Sequence, residues 1–263
     1  MDWGGLGLNV VVSALAVGAC VSALWAVAVR IEDVSIIDIF WGPGFAVVAG
    51  VTLALGSGPS ARRWLLFVMA ATWGFRLGGY LWSRNHGKGE DRRYTAMRRR
   101  VGEGFNRHAL VHVFLFQGLM MWLVSMPIQV GGYVENPHVA VNVWLGVGLW
   151  AIGLTFEAVG DFQLARFKAE PANADEVMDR GLWRYTRHPN YFGDACVWWG
   201  IWLVVAGHWV GVLTVFAPAL MTFLLVRVTG KALLERRLGR SRPGYAEYVA
   251  RTSGFLPRRP RTI

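Results

Sequence analysis

The sequence has little of what a disulfide scaffold or a metal enzyme needs. Its 263 residues include only two cysteines, Cys20 and Cys196, and both lie inside apolar stretches without the close spacing of metal ligands. Isolated thiols in such stretches predict packing residues, so neither a disulfide framework nor a zinc site is supported. The chain also lacks a glycine-rich dinucleotide-binding fingerprint and any recognition motif for DNA or RNA. We therefore expect no metal centre and no nucleic-acid partner.

Acidic residues are also scarce. The chain has 17 Asp and Glu against 27 Lys and Arg, which gives a net charge of +10. Hydrophobic residues make up 54% of the chain, the mean hydropathy is +0.35, and there are 14 tryptophans. This composition is far more apolar than a soluble domain of this size needs. It predicts an all-α, polytopic membrane protein.

Seven apolar segments approach the roughly 20 residues that cross a bilayer as a helix. Arg62 and Arg63 are the only cations in the loops that alternate with the strongly basic ones. The positive-inside rule therefore places the N-terminus outside and the C-terminus in the cytoplasm, with anionic lipid at the basic face. We expect a single integral-membrane domain over residues 1–263, and the Ala-, Gly-, Val- and Arg-rich composition favours a bacterial cytoplasmic membrane. The segments are 6–29, 36–56, 64–83, 109–130, 139–160, 191–207 and 209–228.

Polar residues within the second and third spans are candidates for chemistry. Asp38 lies near the start of the second span with Trp41 one turn on, while Trp73, Arg76 and Tyr80 share one face of the third span. An ionised side chain inside a bilayer is costly and needs a partner or a role. Asp38 and Arg76 therefore either form a structural ion pair or serve catalysis, and their spacing alone does not decide between the two.

The connection from 84 to 108 is strongly basic but contains interspersed acids. The mixed signs predict a folded polar segment rather than a polybasic tail. Within it, the run Glu90-Asp91-Arg92-Arg93-Tyr94 combines acids, cations and an aromatic ring. Its composition favours a solvated helix.

The most informative stretch covers residues 181 to 194, where cationic and polar side chains lead directly into an apolar segment. Pro189 fits the first position of a helix, because its missing N–H costs nothing there. Such a helix presents Asn190 and Asp194 one turn apart and places Arg187 at its N-terminal end, where the helix dipole favours a phosphate. A basic loop at lipid headgroups is the alternative, but attraction to lipid needs neither Asn190 nor Asp194.

Two further polar groups accompany this stretch. Glu157 and Asp161 lie one turn apart on the fifth span, and neighbouring buried carboxylates need ligand hydroxyls, ligand amides or a cation such as Arg166. The other group recurs every four residues at the end of the seventh span, as a cofactor contact or as a stop-transfer cluster. Its members are Arg227, Lys231 and Glu235, which we name the basic stripe.

Together these residues resemble the C-terminal domain of the steroid 5α-reductase family of membrane reductases, and most of all its bacterial branch. The resemblance covers about residues 140 to 257 and rests on Asp161, Gly181-Leu182-Trp183, Asn190-Tyr191-Phe192-Gly193-Asp194 and the basic stripe. It implies a seven-helix reductase that holds NADPH in a cytoplasm-facing cavity. It also implies hydride transfer to a polarised carbon–carbon double bond of a lipid, typically an enone-bearing sterol.

At the substrate end the chain departs from the family, which uses a Glu on the second span and a Tyr on the third. The matching segment here reads Asp38-Ile39-Phe40-Trp41-Gly42-Pro43, and the third-span position is Trp73. We therefore expect a lipophilic enone or related unsaturated lipid, in a pocket that includes Trp41 and Trp73. Its carbonyl would be polarised by Asp38, Arg76 or Tyr80.

The candidate cofactor residues combine cations for phosphates with carboxylates and an amide for hydroxyls and the nicotinamide amide. Asp161, Lys168, Asn190, Asp194, Arg227 and Lys231 follow from the resemblance, and the others accompany them in the same segments. The full set is Glu157, Asp161, Lys168, Arg187, Asn190, Tyr191, Asp194, Arg227, Lys231 and Glu235.

A second resemblance leaves the cofactor open. The segment Arg187-His188-Pro189-Asn190-Tyr191-Phe192-Gly193 also resembles the Arg-His-Pro-x-Tyr-x-Gly element of isoprenylcysteine and phospholipid methyltransferases, which bind S-adenosylmethionine. Those membrane enzymes usually have a Glu-Glu pair where this chain has Glu235-Arg236. The basic stripe suits NADPH, so the reductase is favoured and the methyltransferase is the alternative. A non-enzymatic scaffold or transporter is a third class, and the lack of internal repeats disfavours the transporter.

Overall fold

The structure is a computed structural model, and it describes residues 1–135, 141–228 and 244–261. Within those ranges the regular elements are helices, and no strand is present. The chain forms two compact units. Unit 1 comprises Met1–Ala140 and Val205–Ala217, and unit 2 comprises Val141–Val204 and Pro218–Ile263. The expected single membrane domain stays a prediction.

Five helices of unit 1 lie within residues 1–135. They are α1 (Trp3–Ile31), α2 (Ile36–Leu55), α3 (Ser60–Asn85), α4 (Arg92–Val124) and α5 (Met126–Gly131). Helix α4 includes a 3₁₀ turn at Gly102–Gly104 and a π-helical stretch at Leu110–Leu115.

Three further helices lie in the described part of unit 2, and two of them carry most of the candidate cofactor residues. They are α6 (Val141–Ala169), α7 (Pro189–Val205) and the short α9 (Tyr245–Arg251). Between α7 and α9 in the chain, α8 (Trp209–Val228) begins in unit 1 and ends in unit 2.

Five of these helices, α1, α2, α4, α6 and α8, are long and apolar enough to cross a membrane. Large apolar side chains on them point outward, as a lipid-facing surface requires: Leu15 is 67% exposed, Trp144 67% and Phe162 63%. Helices form at the other two expected spans as well. However, α3 carries several arginines, and α7 has only 17 residues. Five candidate spans are therefore supported, and the spans expected at 64–83 and 191–207 stay predictions.

Local sequence explains where several helices begin. Asp2 caps α1 by accepting a hydrogen bond from the Gly5 N–H at 2.8 Å, and Asp91 caps α4 in the same way. These acceptors satisfy backbone donors that have no partner within the helix. Helix α7 begins at Pro189, as the sequence predicts.

The two arginines that stand outside the basic loops have structural partners. Arg63 Nη1 donates to the Leu53 carbonyl oxygen at 2.6 Å, and Arg62 Nη1 donates to the Val134 carbonyl oxygen at 2.8 Å. The Leu53 carbonyl lies in the last turn of α2, where carbonyls lack helical partners. Both cations at this end of unit 1 are therefore explained by the local backbone.

Glycines bring the backbones of neighbouring helices together in each unit. In unit 1, a Cβ on Gly42 of α2 would clash with the carbonyl of Gly74 of α3. In unit 2, a Cβ on Gly153 of α6 would lie 2.5 Å from the carbonyl oxygen of Gly193 of α7. Small residues permit this approach between helices in a membrane, where association depends on close packing. In unit 2 the approach sets the polar faces of α6 and α7 against each other.

Candidate functional site

The first group of candidate side chains lies in unit 1, and we name it the acid cluster: Asp38, Asp91, Arg93, Tyr94 and Gln117. Asp38 Oδ2 accepts from Arg93 Nη2 at 2.6 Å, and Asp38 Oδ1 accepts from the Tyr94 hydroxyl at 2.8 Å. Arg93 Nε also donates to Asp91 Oδ1 at 3.1 Å, and Gln117 Nε2 donates to the Tyr94 oxygen at 3.3 Å. Because both oxygens of Asp38 accept hydrogen bonds, this side chain is arranged as a carboxylate.

The start of α4 differs from the solvated helix that the run from Glu90 to Tyr94 favours, because Tyr94 is only 6% exposed. Glu90 accepts from Arg98 Nη2 at 2.8 Å and from the Val34 N–H at 3.1 Å. Burial alone would raise the pKa of Glu90, but these hydrogen bonds outweigh burial and hold the pKa below its ordinary value. The run thus anchors α4 against the turn between α1 and α2.

The other residues predicted for the substrate end lie along α2 and α3. The Phe45 ring packs edge-on against both Trp41 and Trp73, with ring centroids 5.6 Å apart in each case. Trp73 is fully buried, and Arg76 and Tyr80 are half-buried on the same helix. The structure therefore brings the predicted tryptophans together around one phenyl ring.

The cation that the structure shows on Asp38 is Arg93, and the structural pair between Asp38 and Arg76 stays a prediction. The donors to Asp38 come from α4, more than fifty residues further along the chain. Sequence reasoning missed Arg93, Tyr94 and Gln117 as members of this group. The sequence feature that could have indicated this group is the combination of acids, cations and an aromatic ring in the run from Glu90 to Tyr94.

The second group lies in unit 2, and we name it the polar cluster: Glu157, Asp161, His188, Asn190 and Asp194. Four of its members are almost completely buried, with exposed fractions of 3% for Glu157, 4% for Asp161, 1% for His188 and 6% for Asp194. Asn190 Nδ2 donates to Asp161 Oδ1 at 3.3 Å. The contact joins α6 to the first turn of α7.

The close contact between α6 and α7 at Gly153 and Gly193 also determines where Glu157 and Asp194 lie along the two helices. A Cβ on Gly193 would lie 2.6 Å from the Glu157 nitrogen, so Glu157 and Asp194 lie at the same height of the helix pair. The polar cluster therefore places three carboxyl groups and one amide between two helices. Such a set suits a ligand that brings hydroxyls, an amide or a positive charge.

The shape of the loop that leads into α7 comes from local hydrogen bonds around the Gly181-Leu182-Trp183 motif. Trp183 Nε1 donates to the Gly160 carbonyl oxygen at 3.0 Å, and the Leu182 N–H donates to Gln163 Oε1 at 2.9 Å. Gly181 has φ +58° and lies directly against the Gln163 side chain, so a larger residue would be both strained and crowded there. The motif thereby holds the loop before α7 on the end of α6.

Further along that loop, the rings of His188 and Tyr191 stack with centroids 5.3 Å apart and planes 7° apart. The Tyr191 N–H donates to Asn190 Oδ1 at 3.1 Å. This bond orients the Asn190 amide so that its Nδ2 faces Asp161. Tyr191 therefore acts on the polar cluster through Asn190.

A cavity of about 190 Å³ lies in unit 2 between the end of α6, the loop before α7 and α9. Lys168 and Arg187, two of the predicted phosphate contacts, line it. The other walls are mainly apolar and aromatic, and include Phe167, Trp183 and Tyr248. The cavity thus combines cations with ring faces.

Arg187 also holds the C-terminal segment. Its Nη1 donates to the carbonyl oxygens of Thr252 at 2.8 Å and Val249 at 3.1 Å, which end α9. The Tyr248 hydroxyl donates to the Trp183 carbonyl oxygen at 2.6 Å, and burial raises the Tyr248 pKa. The segment that closes one side of the cavity is therefore bound directly to the loop before α7.

The predicted basic stripe is described only at its first member. Arg227 is exposed in the π-helical stretch Leu224–Val228 at the end of α8. Lys231 and Glu235 lie outside the described residues.

Comparison with known proteins gives a family without an assigned activity. Residues 24–252 match the family described as "Protein of unknown function (DUF1295)". An uncharacterised protein from Schizosaccharomyces pombe is 24% identical over 280 aligned positions, which cover 90% of this chain and 76% of the yeast protein. No solved structure gives a significant match. The matched range includes both the acid cluster and the polar cluster.

Proposed function

The chain belongs to the DUF1295 family, which in general is steroid 5α-reductase-like, and we propose that it is a membrane oxidoreductase. It would use NADPH to reduce a carbon–carbon double bond in a lipophilic enone or sterol-like lipid. The observation that carries the proposal is the hydrogen bond from Asn190 to the buried Asp161, and Asp161 lies on the same helix as the cavity-lining Lys168. Carboxylates and an amide suit ribose hydroxyls and a nicotinamide amide, and cations suit phosphates.

The side chains of unit 2 have the chemical types that bind the parts of NADPH. Lys168 and Arg187 would hold a phosphate, and the faces of Trp183 and Tyr248 suit a flat base. The cavity of about 190 Å³ is smaller than the roughly 300–1,000 Å³ of typical ligand pockets, so it would enclose one end of the dinucleotide. Asp161, Asn190 and Asp194 would accept and donate hydrogen bonds at the other end. When bound, NADPH would supply the hydride.

At the substrate end, an enone accepts hydride more readily when a hydrogen-bond donor polarises its carbonyl oxygen. We assign this donor role to the Tyr94 hydroxyl. In the structure the single O–H of Tyr94 donates to Asp38 Oδ1, and its oxygen accepts from Gln117 Nε2. This O–H would therefore turn from Asp38 to the substrate oxygen, while Asp38 and Gln117 position the phenol before the substrate binds. This assignment replaces a donor role for Asp38, whose oxygens both accept in the structure. Arg76 and Tyr80 remain secondary candidates.

We further propose that α3 and α7 complete seven spans, with the N-terminus outside and the polar cluster facing the cytoplasm. Helix α3 has 26 residues, and at about 1.5 Å per residue its length exceeds the ~30 Å hydrocarbon core of a bilayer. Arg62 and Arg63 are held by backbone carbonyls, which is consistent with an outer position for cations. The basic loops would then meet anionic lipid at a bacterial cytoplasmic membrane.

The first test is the thermal stability of the detergent-purified protein with NADPH, NADH or S-adenosylmethionine. A ligand that binds only the folded state raises apparent stability. We expect NADPH to raise the Tm most and S-adenosylmethionine to leave it unchanged. The three buried carboxyl groups would also suit a sulfonium cation, so stabilisation by S-adenosylmethionine alone would replace the reductase with the alternative methyltransferase.

Lys168→Ala tests the phosphate assignment. We expect it to weaken NADPH binding more than NADH binding, because only NADPH carries the additional phosphate. Arg166→Ala is the matched control, since Arg166 is an exposed cation on the same helix and does not line the cavity. Equal losses of both cofactors in Lys168→Ala would remove this residue from the 2′-phosphate site.

Asn190→Ala tests the polar cluster itself. It should weaken NADPH binding by about 1–3 kcal/mol, the usual cost of leaving a buried partner unsatisfied. Asn142→Ala is the control, because the Asn142 amide donates to the Leu203 carbonyl of the same helix pair at 2.9 Å. An unchanged NADPH affinity in Asn190→Ala would contradict the central assignment.

A further inference from the structure

A separate group of buried polar side chains lies in unit 1, and the proposed reaction uses none of them. Each is at most 2% exposed, although burying a polar group costs free energy unless it is hydrogen-bonded. The group consists of Asn9, Ser13, Thr52, Ser125, Gln129 and Tyr133.

Hydrogen bonds tie these residues to three elements. Asn9 Nδ2 of α1 donates to Thr52 Oγ1 of α2 at 3.2 Å. Gln129 Nε2 of α5 donates to Ser125 Oγ at 3.0 Å and to the Trp122 carbonyl oxygen at 3.1 Å. The Trp122 indole in turn donates to the backbone of α1 at the residue after Asn9. The polar residues of α1 and α5 therefore lie in one region.

One face of α1 carries the group along its length. Gly5, Asn9 and Ser13 follow each other at four-residue spacing and so share a face. A Cβ on Gly5 would lie 2.9 Å from the Tyr133 ring, which shows that this face meets Tyr133. The next residue on the face is Val17, which is apolar and 1% exposed, so the polar region ends at Ser13.

Four buried atoms of the group have no hydrogen-bond partner within residues 1–135, 141–228 and 244–261. They are Asn9 Oδ1, Ser13 Oγ, Gln129 Oε1 and the Tyr133 hydroxyl oxygen. Burial raises the pKa of Tyr133, so its hydroxyl keeps the proton and can donate. Native proteins leave few such atoms unpaired, and a buried water typically supplies two to four hydrogen bonds. Two amide oxygens and two hydroxyls are a set of partners that water can satisfy.

We infer that Asn9, Ser13, Gln129 and Tyr133 form an internal hydration site, in which ordered water joins α1 to α5 and the residues that follow it. Water can donate to the amide oxygens of Asn9 and Gln129, which accept no hydrogen bond from the described residues. The site does not depend on the cofactor or on the proposed reaction. Its consequence is that α1 and α5 are joined through water, whereas α1 and α2 are joined by the direct bond from Asn9 to Thr52 and the adjoining layer with Val17 is dry.

X-ray radiolytic footprinting of the full-length protein in detergent tests for the water directly. Radiolysis produces hydroxyl radicals from water in place, so a buried ring beside bound water is oxidised and a buried ring in a dry layer is not. We expect Tyr133 to be modified several-fold faster than Phe45 and Phe114, which are equally buried among apolar residues. Modification of Tyr133 at the rate of those two rings would overturn the inference.

Two conservative variants give a second measure. Ser13→Ala and Tyr133→Phe each remove a hydroxyl that has no partner in the described part of the protein. If water is bound, both variants lose a hydrogen bond to it, and we expect both to lower the Tm. If the site is dry, removing an unsatisfied hydroxyl is neutral or favourable, and an unchanged or raised Tm in both would overturn the inference. Ser83→Ala, at an exposed serine of α3, is the control for the Ser-to-Ala change.

Discussion

The acid cluster of unit 1 and the polar cluster of unit 2 each surround an aspartate, but the two aspartates differ in the donors that the structure shows. Asp38 accepts from a guanidinium and a phenol that lie 55 and 56 residues away in the chain. Asp161 accepts from the amide of Asn190, on the next helix. A guanidinium balances the charge of a carboxylate, whereas an amide adds a hydrogen bond and no charge. The difference suits a cluster that fixes a hydroxyl in unit 1 and one that meets ligand donors in unit 2.

The helix contacts beneath the two clusters are alike. Gly42 and Gly74 bring α2 and α3 together in unit 1, and Gly153 and Gly193 bring α6 and α7 together in unit 2. Both contacts follow the small-residue packing that is typical of membrane helices. The contrast between the clusters therefore arises from their side chains and not from a different kind of helix packing.

Tyr94→Phe should give the largest effect, because the proposed carbonyl donor is removed while the ring stays in place. Loss of a positioned proton donor typically lowers turnover by about 10²- to 10⁴-fold. We expect turnover of an enone lipid to fall in that range and NADPH affinity to stay unchanged, measured by NADPH oxidation and by thermal shift. Tyr80→Phe is the matched control. A greater loss in Tyr80→Phe than in Tyr94→Phe would return the donor role to Tyr80.

Gly153→Ala tests whether the polar cluster needs the close approach of α6 and α7. The added Cβ would meet the backbone of both Gly193 and Val197, so the helices must move apart. We expect a loss of about 1–3 kcal/mol in stability, as for overpacked cores, together with weaker NADPH binding. Gly148→Ala on the same helix is the control, because no atom lies within 4 Å of its Cβ position. A Tm for Gly153→Ala equal to that of the control would show that the contact is not needed.

The features that sequence predicted are those set by neighbours along the chain. Pro189 opens α7 as expected, and the one-turn spacing of Asn190 and Asp194 places them on the same helix face. Apolar length alone located most of the helices. In these cases the physical cause, a missing N–H or the 3.6-residue repeat, acts within a few residues.

The features that sequence missed depend on contacts between distant segments. No periodicity connects Asp38 with Arg93, since their contact requires α4 to fold back on the turn before α2. The bonds from Arg187 to the end of α9 are likewise invisible in the sequence, where the same cation indicates only a phosphate site. Fixed donors such as arginine can satisfy either a ligand or a backbone carbonyl, and only the fold decides between them.

Arg93→Ala tests whether charge balance holds the acid cluster together. It leaves Asp38 without its cation, and Asp38 is only 17% exposed. Arg93 is itself half-exposed, so water replaces part of the interaction, and we expect a loss of about 1–2 kcal/mol in stability. The double variant Asp38→Asn, Arg93→Ala should regain part of the Tm, because the uncompensated charge is gone. No recovery in the double variant would mean that packing rather than charge accounts for the loss.

Glu90→Gln should give the smallest effect, and that effect should depend on pH. Because the folded-state pKa of Glu90 lies below its ordinary value of 4.5, the carboxylate stabilises the fold above that pH, and the contribution is lost as pH falls through the folded pKa. We expect wild type to be more stable than Glu90→Gln by up to about 1 kcal/mol at neutral pH, with the difference in Tm closing in acid. The Asn190 amide does not titrate, so Asn190→Ala should show no such closing. If the Glu90→Gln difference persisted in acid, the shape of the glutamate rather than its charge would anchor α4 beside the acid cluster.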